Sequence, residues 1–107
     1  MRTRFNAEEI QKVPQESGIF TLFREQDLVY IGRTAPRSTL RRELEHALRL
    51  SMADEEMEAT HFSYELTKTP KTRASEELRS FYEMWGRLPL YNRPQSSSLK
   101  QGAELRR

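Results

Sequence analysis

Apolar positions along this chain switch between a period of two and a period near 3.6, and each switch marks an element. Asn6 followed by Glu9 has the form of a capping box and predicts a short helix from Ala7 to Lys12, ended by Pro14. From Ile19 to Phe23, and again from Leu28 to Ile31, β-branched and aromatic residues cluster around the polar stretch Arg24, Glu25, Gln26, Asp27, which predicts a hairpin. Leu40, Leu44, Ala47 and Leu48 recur at helical spacing behind Ser38 or Thr39 as the cap. Thr60 to Leu66 alternates, with Phe62, Tyr64 and Leu66 on one face of a half-buried strand and His61, Ser63 and Glu65 on the other. After Pro70 a long helix carries Ala74, Leu78, Phe81, Tyr82 and Trp85 on one side and stops at Gly86. Three strands mixed with helices make this an α+β chain.

Composition limits what that inventory can do. A chain of 107 residues is one small domain, read as residues 1–94, with the aperiodic serine-rich segment 95–107 as a flexible tail. At 36% hydrophobic and 32% charged the core is thin and long charged side chains cover much of the surface. The formal net charge is only +2, so attraction to nucleic acid must come from a local patch. There is no cysteine, hence no disulfide framework and no thiolate metal site. The chain shows neither an apolar leader nor a membrane-length run, and the expectation is a soluble, cytoplasmic protein with no membrane partner.

Two short strings carry the chemistry. Gly18-Ile19-Phe20 and Tyr30-Ile31-Gly32 fall on the two hairpin strands, and Pro89-Leu90-Tyr91-Asn92 follows the long helix. Their order and spacing, from Gly18 to Asn92, resemble the GIY-YIG nuclease family. The resemblance implies a small three-stranded antiparallel sheet flanked by helices, and hydrolysis of nucleic-acid phosphodiesters with one divalent ion, Mg²⁺ or Mn²⁺. It further implies a tyrosine in the first string, an arginine and sometimes a histidine on the next helix, and a metal-binding glutamate on the long helix. Such chemistry needs a carboxylate for a hard cation, a base for the attacking water and a cation against charge growing on phosphate.

Matched by position, this chain departs from that set. Phe20 has the ring of the first tyrosine but no hydroxyl, whereas Tyr30 in the second string keeps its own. On the helix after the hairpin, residue type selects Arg42 and His46, four apart and therefore neighbours. The stripe through Leu40, Leu44 and Leu48 sends that pair toward solvent, and apolar phase selects Glu43 and Ala47 instead. On the long helix the glutamate's geometry falls at Ala74, and Glu77, on the flank of the stripe, is the substitute metal ligand. Arg33, Arg37, Arg41, Arg42 and Arg49 crowd the same region, a density suited to phosphate contacts, although Glu43 and Glu45 are interleaved and able to pair with them. Asn92 either contacts a phosphate or closes a turn on its own backbone.

Three readings follow. In the first, a degenerate domain binds DNA or RNA without efficient hydrolysis, having lost function together at Phe20, Glu43, Ala47 and Ala74. In the second, an endonuclease works through Tyr30, Arg42 and His46 with a metal on Glu77. The third is a protein-interaction module in a nuclease or repair assembly, whose partner sees the acidic run Asp54 to Glu58 or the tail.

Overall fold

The structure is a computed structural model that describes residues 2–53 and 57–93. Most of the acidic run and the whole of segment 95–107 lie outside the described residues. In chain order the elements are β1 (Thr3–Arg4), α1 (Ala7–Ile10), β2 (Gly18–Arg24), β3 (Asp27–Arg33), α2 (Leu40–Ala53), β4 (His61–Leu66), α3 (Pro70–Trp85) and a closing 3₁₀ turn (Leu90–Asn92). The result is a small α+β domain with a four-stranded antiparallel sheet and three helices. The expected three-stranded sheet is therefore corrected to four, in the order β1-β4-β2-β3. The additional strand is the two-residue β1, which pairs Thr3 with Phe62 and Arg4 with His61. Two residues are too short to show alternation, so no periodicity announces it.

The local signals explain most of the elements. The Oδ1 of Asn6 accepts from the Glu9 N–H at 2.9 Å, capping α1, while the Glu9 carboxylate turns to Lys12 rather than back to the cap. Thr39, not Ser38, caps α2, its Oγ1 accepting from the Arg42 N–H at 3.2 Å. Pro70 opens α3 and Gly86 ends it in a left-handed conformation, φ 74°, with its N–H donating to the Tyr82 carbonyl. The hairpin turns tightly through Glu25 and Gln26, Glu25 taking φ 56°.

Strand alternation sends the two faces of β2 to different helices. Phe20 and Leu22, with Phe62 of β4, meet Leu40, Leu44 and Ala47 of α2 and Ile10 of α1 in the larger cluster. On the other face Ile19 and Phe23, with Ile31 of β3, lie beneath α3, which buries Ala74. Burying each of the larger side chains contributes roughly 1.5–3 kcal/mol. The expected apolar stripes of β4 and α3 hold at their N-terminal ends and fail toward their C-terminal ends. Phe62 is buried while Tyr64 and Leu66 are exposed, and Tyr82 and Trp85 of α3 stand more than half exposed.

Both glycines of the paired strings are required by close approach. A Cβ on Gly18 would meet the Glu65 carbonyl oxygen at 2.3 Å, and one on Gly32 would meet the Phe20 ring at 2.4 Å. The Phe20 ring thus lies across Gly32 on the neighbouring strand and packs, tilted, against Tyr30 with centroids 6.0 Å apart. Gly32→Ala overpacks this contact and is expected to cost about 1–3 kcal/mol in denaturant unfolding. Phe20→Leu in the same chain should restore part of that loss, and simple additivity of the two changes would contradict the contact.

Candidate nucleic-acid interface

The edge of β3 is where the site forms, because both neighbouring helices reach around it. A cavity of about 450 Å³ lies there, lined by Tyr30 and Arg33 of β3, Glu43 of α2, Lys71 and Ala74 of α3, and Asn92. The Glu43 Oε2 accepts from the Ala35 N–H at 3.2 Å, which holds the carboxylate against the loop that follows β3. Burial first, and the Glu43 carboxylate second, push the Tyr30 phenol above its usual pKa, with Arg33 offsetting part of the shift. Apolar phase thus describes the rotation of α2. Glu43 turns to the cavity and Ala47 into the core, while Arg42, His46 and Arg49 are exposed and do not line it.

Asn92 is spent on the backbone. Its Oδ1 accepts from the Ile31 N–H at 2.8 Å and its Nδ2 donates to the Ile31 carbonyl at 2.9 Å. The side chain therefore pairs with the edge strand as a further strand would, neither closing its own turn nor reaching freely into the cavity.

Glu77 is equally committed. Arg73 donates from Nη2 to Glu77, from Nη1 to Glu76, and through Nε and Nη2 to both oxygens of Glu65, each at 2.8 Å. These bonds hold the Glu65 carboxyl below its usual pKa and the Arg73 guanidinium above its own. Glu77 does not line the Tyr30 cavity. Among the described residues no group of three His, Cys, Asp or Glu side chains is placed to hold a metal. The donor set around Tyr30 fits Mg²⁺ or Mn²⁺ poorly, since its one carboxylate is Glu43 and the cations Arg33 and Lys71 share its walls.

The five crowded arginines divide. Arg33 and Arg37 line a second cavity of about 600 Å³, beside the first, together with Lys68 and Lys71. Arg41 turns away, its Nε donating to the Val13 carbonyl at 3.0 Å. Lys68 and Lys71 were not anticipated, although Lys71 lies three residues before Ala74 and shares its helical face. Neither lysine, nor Arg37, forms an ion pair among the described residues. Arg37 takes φ 68°, a left-handed backbone that costs a non-glycine residue about 1 kcal/mol.

No family model, curated protein or solved structure matches this chain. No described helix is long and apolar enough to cross a membrane.

Replacing Glu43 by Gln removes one of the two causes that raise the Tyr30 pKa. The phenolate absorbance titration, taken as a difference against Tyr30→Phe, should shift to lower pH while staying above the ordinary value, because burial persists. Since the folded value is the raised one, the stabilisation from neutral Tyr30 is full below the ordinary tyrosine pKa and is lost as pH rises through the folded value. The Glu43→Gln variant should lose less stability over that alkaline interval.

Proposed function

We propose that this chain is a degenerate GIY-YIG-like domain that binds the phosphate backbone of DNA or RNA without efficient hydrolysis. One observation carries the proposal: the β3-edge cavity gathers Tyr30, Glu43, Ala74 and Asn92, and at two of these places the side chains are wrong for the reaction. Hydrolysis of a phosphodiester needs a cation where charge grows and a carboxylate for the metal. Here Glu43 occupies the cation's place and Ala74, only 6% exposed, occupies the carboxylate's. Phe20, 4% exposed, supplies no hydroxyl. Arg42, His46 and Glu77, the set for an active enzyme, are dispersed over solvent and an ion-pair network.

What these residues retain is affinity for phosphate. Arg33, Arg37, Lys68 and Lys71 line one continuous basic surface across the two cavities, Arg33 and Lys71 bordering both. Backbone contacts of this kind release counterions and give binding that weakens steeply with salt. Tyr30 offers a phenol rather than a phenolate near neutral pH, so it donates to a phosphate oxygen and does not take a proton from water.

Three measurements test this. Affinity for a short duplex should fall linearly on a log–log plot against salt, and Lys68→Ala and Lys71→Ala should each reduce the slope by about one. Supercoiled plasmid should remain intact with Mg²⁺ or Mn²⁺; nicking abolished by Glu77→Ala would overturn the reading. Arg37→Gly should relieve the left-handed strain, leaving the fold as stable or more stable by up to roughly 1 kcal/mol, while weakening binding at low salt.

A further inference from the structure

Beyond the basic surface, α3 and β3 border a third depression of about 430 Å³ that the phosphate-binding reading leaves unused. Its walls are Phe23 and Leu28 of the hairpin and Phe81, Met84 and Trp85 of α3, with Arg2 and Arg87 at its rim. Ile31 lines both this depression and the first cavity. Trp85 is 60% exposed and Met84 74%, a concentration of large apolar side chains unusual for a surface with no occupant.

The cations here are arranged on rings. The Arg2 guanidinium stands 4.0 Å from the centroid of Phe23 and that of Arg87 5.4 Å from the centroid of Phe81, whose ring in turn lies 6.2 Å from Trp85. The acidic side chains on this wall are Asp27 and Glu77, and Glu77 is engaged by Arg73. Along α3 the surface thus runs from lysines at one end to arginine-flanked aromatics at the other, about 21 Å from Lys71 to Trp85 at 1.5 Å per residue.

We propose that this α3 face takes an unpaired nucleic-acid strand, its phosphates on Lys68 and Lys71 and a base stacked on Trp85. The inference rests on the phosphate-binding reading and names the form of nucleic acid that the site prefers. Charge complementarity selects the occupant, because Arg2 and Arg87 border the aromatic groove and Lys71, on the same face of α3, borders the phosphate surface. A purely apolar partner helix would leave Arg2 and Arg87 without anionic partners. Pairing state follows from geometry, since in a duplex only the terminal pairs offer a flat face to an aromatic ring, whereas every base of an unpaired strand can.

The chain has one tryptophan, so its fluorescence reports this site directly. Titrating the full chain with a short oligothymidylate should give saturable quenching, and a relaxed closed-circular duplex, which has no terminal pairs, should not. Trp85→Ala should lower affinity for the single strand about tenfold or more, leaving duplex affinity and the salt slope unchanged, while Trp85→Phe keeps most of the binding. Lys68→Ala with Lys71→Ala should weaken both ligands and flatten the salt dependence of both. Salt-dependent binding that Trp85→Ala leaves intact for both ligands overturns the stacking proposal and spares the phosphate-binding reading. Absence of salt-dependent binding to either ligand overturns both. Self-association abolished by Trp85→Ala, without quenching by oligonucleotide, assigns the groove to a second copy and likewise overturns the proposal.

Discussion

The double hydrogen bond between the Asn92 carboxamide and the backbone of Ile31 joins residues 61 positions apart, and the β3 side of the molecule is organised around it. Edge strand β3 would otherwise present its main-chain groups to water on the side where the site lies. By meeting them, Asn92 draws the chain back from the end of α3 to the sheet and buries Tyr91 with it. That return passes beside α3, so the cavity between helix and strand acquires its second wall. A buried amide with both its donor and its acceptor engaged also fixes its own orientation, and no buried side-chain polar atom among the described residues lacks a partner.

The packing of the paired strings depends on a complementary device. Gly32 leaves room for the Phe20 ring, which reaches across the β2–β3 ladder and lies against Tyr30. Position 20 therefore contributes a shape, and that shape is compatible with the absence of a hydroxyl. Tyr30 stays half-buried beside a carboxylate, which keeps its proton in place under the conditions where phosphate chemistry would require a base.

How much was legible in the sequence varies with the range of the interaction involved. The hairpin, α2 and α3 follow from periods and caps, which act over a few residues and leave their mark in order along the chain. The rotation of α2 was also readable, since Leu40 and Leu44 are fully buried and fix where Glu43 points. Contacts between distant segments were not: β1 is too short for a period, and the use of Asn92 depends on a strand sixty residues earlier. The commitment of Glu77 to Arg73 illustrates the same limit. Helical spacing predicts that the two can meet, yet the grip of Arg73 on Glu65 depends on how α3 crosses β4. Lys68 and Lys71 carry no local signal, because the patch they form with Arg33 and Arg37 is assembled from two segments.

Charge is divided across α3. The carboxylates of Glu65, Glu76 and Glu77 gather around Arg73, Glu77 also reaching the wall of the groove beside β3, while Lys68 and Lys71 share a cavity with Arg33 and Arg37. A net charge near neutrality thus conceals local clusters of each sign along one helix.

The two ends of the sheet are blunted in different ways. On one side β1 offers only two residues, and on the other Asn92 occupies the main-chain groups of Ile31 at the middle of β3. Among the described residues β1 offers a short run of outward N–H and C=O groups, and on β3 Asn92 interrupts the run on which an incoming extended peptide would zip. An extended peptide adding to β3 would have to displace the Asn92 carboxamide from Ile31, which tilts recognition on this side toward side-chain shape, charge and ring contacts and away from the sequence-blind pairing of one backbone with another.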